Sequence, residues 1–395
     1  MKYLEILFWC LIFVVFYTYI GYGILLIFLV KIKALFFKAE MQYTIDYEPE
    51  ICLLIAAFNE KDYVDAKVKN SLELDYPKEK LHLVWVTDGS DDGTPELLLK
   101  YPEVTVFHES ARNGKIGAIN RAMKFVKEPI VVYSDANTML GNDAIRRIVY
   151  LFSNPEIGCV SGEKRIASKD ADTASGAGEG IYWKYESLLK RYDFKLYSVV
   201  GAAGELFAIR TELHQDIERD TLLDDFIISL RIAMKGYKIG YDPDAYAMES
   251  ASANVKEELK RKIRIAAGGI QSIVRLKALL NPFKYKTLSF QYISHRVLRW
   301  TLAPLSMILV FLLNAYFAVH QNFAYNNFYT LLFGLQLLFY SAAVLGWFLQ
   351  NREIKVKLLF IPYYFFIMNY AVVMGFFRYL KRSQSVNWER AKRAT

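Results

Sequence analysis

Cysteine is scarce in this 395-residue chain, which has three: Cys10, Cys52 and Cys159. They are scattered, without metal or redox spacing and without a paired framework, which excludes a disulfide-stapled secreted domain and fits a reducing compartment. Charge is missing over long stretches as well. From Ile6 to Val30 every residue is apolar or weakly polar, whereas roughly 20 such residues suffice to span a bilayer as a helix. The stretch lacks the short apolar core and small-residue cleavage site of a signal peptide. An uncleaved membrane helix is therefore expected at the start of the chain.

Apolar residues make up 54% and aromatics 15% of the sequence, high for a soluble protein. The remaining excess lies in three C-terminal runs, 301–319, 328–349 and 358–377, while the stretch from about 47 to 280 has ordinary polar content and enough length for its own core. A soluble domain between membrane segments follows. Lys31, Lys33 and Lys38 flank the inner end of the first span and only Lys2 precedes it, so the soluble domain is expected to face the cytoplasm. The net charge of +8 does not call for nucleic acid, because the basic residues gather beside membrane segments, at 256–275 and 378–393. Anionic headgroups attract them there. The expected division is a membrane helix with a basic flank at 1–38, a soluble domain at 47–250, amphipathic interfacial helices at 251–299, membrane segments at 300–377 and a basic tail at 378–395.

Ile51–Ala57 and Leu81–Thr87 are apolar runs of strand length that end in Asn59-Glu60 and Asp88. Helical spacing over 63–74, a helix start at Thr94-Pro95-Glu96, short strands at 104–107, 130–133 and 158–161, and helices at 116–126 and 144–152 complete an α/β alternation. Ligands of such sheets bind beyond the carboxyl ends of the strands. There the sequence places Asp135 and Asn137, the loop Asp88-Gly89-Ser90-Asp91-Asp92-Gly93-Thr94, and Arg112-Asn113-Gly114-Lys115 at the start of a helix. Each has a bland reading, as turn formers, a solvated acidic loop and a surface lysine. In the functional reading Asp88 accepts hydrogen bonds from a ribose or a base, and Lys115 with the helix N–H groups receives a diphosphate.

In their order, Ala56-Ala57-Phe58-Asn59-Glu60, the 88–94 loop, Gly114-Lys115 with Ala118-Ile119-Asn120, and Asp135-Ala136-Asn137 resemble the motifs of a membrane-anchored family 2 glycosyltransferase. The similarity spans roughly 50–280, and the flanking spans resemble the cellulose, hyaluronan and poly-N-acetylglucosamine synthase branch. It implies a GT-A domain, a Rossmann-like mixed sheet that binds a nucleotide sugar, flanked by transmembrane helices. It implies that Ala57, Asn59, Glu60 and Asp88 hold the nucleoside, that Lys115 lies near it, and that Asp135 and Asn137 sit at a divalent cation, magnesium or manganese. A hard cation is needed because the departing diphosphate gains negative charge that a Lewis acid stabilises. Asn137 departs from the common Asp-x-Asp pattern and offers a neutral carbonyl, which makes the metal lean on the substrate's phosphates.

The small-residue turn Gly201-Ala202-Ala203-Gly204-Glu205 reads either as tight packing or, by the resemblance, as the sugar and acceptor cleft, with Gly204 and Glu205 lining it. Thr221 and Asp224 have capping-box-like spacing. By resemblance to the family's acidic pair, Asp224 and Asp225 are catalytic, with Asp225 as the base that deprotonates the acceptor hydroxyl. One base without a nucleophile implies single displacement with inversion. In the basic stretch 255–280 a break is expected at Gly268-Gly269. Processive synthases carry Gln-x-x-Arg-Trp there; this chain reads Arg261-Lys262-Ile263-Arg264-Ile265, keeping Arg264 for the diphosphate and lacking the Gln and the Trp plane on which an acceptor sugar stacks. That favours a lipid-linked sugar slightly over a growing polysaccharide as acceptor. Pro362 and the basic tail favour a re-entrant or interfacial segment over a third C-terminal crossing. Asn387-Trp388-Glu389-Arg390 resembles a cytoplasmic motif of hyaluronan-synthase-like enzymes. The expectation is an inverting, metal-dependent transfer from a UDP-sugar to a saccharide acceptor at the plasma membrane, in cell-surface polysaccharide or glycolipid synthesis. A non-catalytic scaffold or channel component with an inactive domain competes with it, against the joint presence of Asp88, Lys115, Asp135 and Asp225.

Overall fold

The structure, a computed structural model, describes residues 1–36, 43–44, 46–166, 174–250, 255–350 and 356–381. Its first element is one long helix, α1 (Lys2–Phe36), with a π turn at Tyr17–Gly21. The middle domain then runs β1 (Ile51–Ala57), α2 (Lys61–Leu72), β2 (Leu81–Asp88), α3 (Thr94–Leu98), β3 (Val104–Glu109), α4 (Gly114–Ala122), β4 (Ile130–Asp135), β5 (Thr138–Leu140), α5 (Ala144–Phe152), β6 (Ile157–Ile166), α6 (Ala174–Leu196), β7 (Leu206–Arg210), α7 (Asp224–Met234) and β8 (Lys238–Glu249). The eight strands form one mixed sheet in the order β3-β2-β1-β4-β7-β6-β8-β5. Strands β1 to β4 pair in parallel, and β7 joins β4 antiparallel.

The alternation of side chains along a strand explains why the sheet is covered on both faces. Cys52, Leu54 and Ala56 of β1 join a core with Ile116 and Ile119 of α4, while Ile51, Leu53 and Ile55 join another with Val64 of α2 and Ile148 of α5. All seven β1 residues are buried, as an interior strand flanked by β2 and β4 requires.

Beyond the domain come α8 (Val255–Arg275), α9 (Pro282–Tyr292), a π turn at Ile293–Val297, α10 (Leu302–His320), α11 (Phe328–Gln350) and α12 (Lys357–Leu380). Four helices, α1 and α10 to α12, are long and apolar enough to cross a membrane. Two expectations are corrected here. Helix α8 is continuous through Gly268-Gly269, because those glycines serve close packing: a Cβ on Gly269 would lie 2.5 Å from the Trp300 ring, and one on Gly268 2.8 Å from Leu223. The 358–377 segment lies in a single helix, which removes the re-entrant loop and leaves the interfacial alternative as an expectation; Pro362, in the second turn, forgoes one backbone hydrogen bond without breaking the helix. The motif at 387–390 lies outside the described residues.

Buried polar contacts fasten the domain to the membrane helices. Tyr22 of α1 donates to Asp193 of α6, and Asp193 also accepts from Gln291 and faces His295 at 2.6 Å. Glu186, two turns earlier on the same face of α6, holds Arg296 at 2.6 Å and Arg299 at 2.9 Å.

Candidate active site

The carboxyl ends of β1, β2 and β4 meet where β1 lies between its two parallel partners, the crevice position of an open α/β sheet. Asp88 ends β2. Its Oδ2 accepts hydrogen bonds from the backbone N–H of Asn113 at 2.7 Å and of Gly114 at 2.6 Å, and its Oδ1 lies 3.4 Å from Arg121. The carboxylate thus fixes the start of α4 and, with it, the position of Lys115. Asn59, in the left-handed region at φ 54, exchanges two hydrogen bonds with Asp91 and ties the β1 end to the 88–94 loop. Ala57 and Asp88 line a narrow crevice with Arg112, whose guanidinium lies 3.7 Å over the Phe58 ring. Glu60 lies instead in the main cavity.

That cavity gathers the remaining candidates, Lys115, Asp135, Asn137, Gly204, Glu205, Asp224, Asp225 and Arg264. Lys115 places its Nζ 2.9 Å from Asp135 and 3.5 Å from Asp224. Burial works against its charge, but the two carboxylates outweigh it and hold the ammonium well above its ordinary pKa. Burial raises the Asp135 carboxyl, with Lys115 opposing. Asp225 is pushed up to about 7, by burial first and then by the charge of Asp224. Glu205 goes the other way: burial notwithstanding, Lys164 at 3.0 Å and Arg261 keep it below the usual carboxylate range.

The capping-box expectation for Asp224 is corrected. Leu223 is the N-cap of α7 and makes no side-chain cap, while Thr221 accepts from Arg275 at 2.7 Å. Asp224 is left to face Lys115. Gly204 sits against Asp225: a Cβ there would be 3.3 Å from the Asp225 carboxylate.

Several neighbours were not legible in the sequence. Lys67 of α2 is fully buried and donates to Ser134 at 2.8 Å and to the Thr138 carbonyl at 2.7 Å, clamping the turn that carries Asp135 and Asn137. Burial lowers it to about 7. Trp183 and Trp300 line the cavity, aromatic side chains that reach it from elsewhere in the chain than the 261–265 segment. Their only sequence signal is residue type, because α6 and the 298–300 turn come together with α8 through the fold.

Asp135 and Asn137 offer a carboxylate and an amide carbonyl, oxygen donors of the kind a hard divalent cation takes. Among the described residues no group of three or more His, Cys, Asp or Glu is placed to hold an ion alone. The residues present therefore fit a cation that shares its remaining positions with a phosphate-bearing ligand.

The comparisons agree with this geometry. The profile described as "Glycosyltransferase like family 2" matches residues 49–268. A poly-beta-1,6-N-acetyl-D-glucosamine synthase of Staphylococcus aureus (strain MSSA476) is 28% identical over 258 residues, 61% of this chain and 61% of that protein. A beta-monoglucosyldiacylglycerol synthase of Synechocystis sp. is 29% identical over 242 residues, 58% of this chain and 49% of that protein. The matches thus span about half to three fifths of the relatives' lengths. Among solved structures, the mannosyltransferase PcManGT from Pyrobaculum calidifontis, in complex with GDP-Man and Mn2+, superposes with a TM-score of 0.70 at 23% identity, covering 95% of this chain and 99% of that one. That likeness shows the shared fold. Since the family profile spans more than half of its length, this chain belongs to glycosyltransferase family 2.

Proposed function

We propose that the protein transfers a sugar from a nucleotide-sugar donor, UDP-linked, to a saccharide acceptor with inversion, at the cytoplasmic face of the plasma membrane, in cell-surface polysaccharide or glycolipid synthesis. The observation that carries this reading is the placement of Asp225: a half-buried carboxyl raised to about 7, in one cavity with Lys115, Asp135 and Asn137. A general base works best with a pKa near the operating pH, and a positioned one is worth about 10²- to 10⁴-fold in rate. Asp225 takes the acceptor's proton, Gly204 leaves room for the sugar beside it, and Lys115 and Arg264 face the diphosphate. Asp135 and Asn137 would hold a divalent cation, which supplies Lewis-acid stabilisation of the leaving phosphate. The names of the relatives, a polysaccharide synthase, a glycolipid synthase and a mannosyltransferase bound to GDP-Man and Mn2+, support the reaction class and the cation.

The test offers purified full-length protein a panel of UDP- and GDP-sugars with magnesium or manganese and measures released nucleoside diphosphate. Release with one donor, abolished by chelation and restored by either metal, is expected. No release with any donor and any lipid or oligosaccharide acceptor defeats the reading.

A further inference from the structure

The cavity that contains Asp225 does not end with the catalytic domain. Its volume is about 1460 Å³, beyond the roughly 300–1,000 Å³ of an ordinary small-molecule site, so a second molecule fits alongside the donor. One half is lined by the charged residues described above. The other half is lined by two of the membrane-length helices, through Phe16 and Ile20 of α1 and through Ile361, Phe365, Met368 and Val372 of α12. The α12 positions recur every three or four residues and so share one helix face. Phe16, Ile20 and Ile361 are each about half exposed, at 49%, 54% and 55%, so this half opens sideways between the two helices. Trp183, Arg296, Arg299 and Trp300 line the same cavity and are of the side-chain types found where a bilayer meets water.

A polymer threaded through this space would lay its hydroxyls against hydrocarbon walls, and unpaired hydroxyls in such surroundings cost about 1–3 kcal/mol each. A lipid chain suits the same walls. The described lining also carries eight acidic and eight basic side chains, so once a divalent cation offsets the donor's diphosphate no surplus positive charge is left for a phosphate head.

We infer that the acceptor is a membrane lipid with a hydroxylated, uncharged head, which enters laterally between α1 and α12, keeps its chain in the apolar half and presents its hydroxyl to Asp225. The inference rests on the reading of Asp225 as the base. In the transfer the head hydroxyl loses its proton to Asp225 while its oxygen bonds to the anomeric carbon. The bond from that carbon to the β-phosphate oxygen breaks, and the nucleoside diphosphate leaves with the electron pair.

The test reconstitutes the full chain in phosphatidylcholine vesicles containing diacylglycerol or monoglycosyl-diacylglycerol, with a radiolabelled nucleotide sugar. Label should partition into organic solvent. Val372→Trp, which narrows the apolar part of the cavity, should lower lipid glycosylation at least tenfold, whereas Leu331→Trp, on the 61% exposed surface of α11, should not. A second measurement needs no turnover: diacylglycerol with a diazirine on its acyl chain should cross-link within 361–372, and unlabelled diacylglycerol should displace it. Label found only in water-soluble polymer, transfer only to a phosphate-headed polyprenol, Val372→Trp at the wild-type rate, or cross-links that are not displaced would each overturn the inference. Donor consumed with water-soluble products alone defeats the lipid route and leaves the transferase reading standing; no donor consumption under any condition defeats both.

Discussion

Two ionisable side chains carry the sharpest expectations at the scale of the residue. Asp225 must be ionised to accept a proton, and its pKa of about 7 places the rise of kcat/KM with pH near neutrality. Below pH 7 the rate should fall about tenfold per unit, because the ionised fraction does. Asp225→Asn should remove this limb and leave less than a tenth of the activity while donor binding persists; calorimetric titration of the donor separates the two. After burial, Asp224 is the next cause of the high pKa, so Asp224→Asn should move the limb to lower pH, read from the same profile. Lys67 makes the opposite kind of statement. Its folded pKa of about 7 lies below the ordinary 10.5, so between those values the unfolded chain binds more protons and stability rises with pH. It is lost as pH falls through 7. Lys67→Met should flatten this slope and, by removing the donor to the buried Thr138 carbonyl, cost about 1–3 kcal/mol. Unfolding midpoints at pH 7 and 9.5 for both proteins provide the check.

Elements differ in how much of themselves the sequence displays. Strand β1 and helix α5 have the bounds that their apolar runs and spacing announce, 51–57 and 144–152. Helix α6 and strand β8 went unseen. The buried face of α6 includes Glu186 and Asp193, charges matched by His295, Arg296 and Arg299 about a hundred residues away, and hydrophobic periodicity cannot register a face satisfied by distant ions. Strand β8 carries Pro243 and two aspartates through its middle, which read as a turn until β6 pairs with it in parallel. The site shows the same division. Asp135, Lys115 and Asp225 stand in local motifs, whereas Lys67, Trp183 and Trp300 reach it only through packing. The contact of α12 with α8 is of this second kind and can be tested by itself. A Cβ on Gly375 would lie 2.6 Å from the Ala266 Cβ and 2.8 Å from the Ala267 nitrogen. Gly375→Leu should therefore push α12 off α8 at a cost of about 1–3 kcal/mol, seen as a lower unfolding temperature together with reduced transfer.

At the scale of the whole molecule, the contacts fix which ends of the membrane helices lie on the catalytic side. Phe8 packs edge-on against Phe317 and Tyr329 with ring centroids 5.7 and 5.6 Å apart, so the start of α1 shares an end with the turn between α10 and α11. At the other end of α1, Lys33 donates to the carbonyls of Lys195 and Leu196 in the catalytic domain. Arg378, near the end of α12, lines the same cavity as Asp135 and Arg264. Tyr325 and Lys381 should therefore lie on opposite sides of the membrane, and on the proposed orientation, with the lysines at the inner end of α1 in the cytoplasm, Lys381 is expected there together with the catalytic domain. Single cysteines decide it. Cys52 and Cys159 are buried and Cys10 is exposed, so Cys10→Ser gives the background. In intact cells an impermeant maleimide should label Tyr325→Cys and spare Lys381→Cys, which should react only after permeabilisation. Labelling of Lys381→Cys in intact cells would place the catalytic cavity outside, away from the cytoplasmic supply of nucleotide sugars, and the proposed donor chemistry would fall with it.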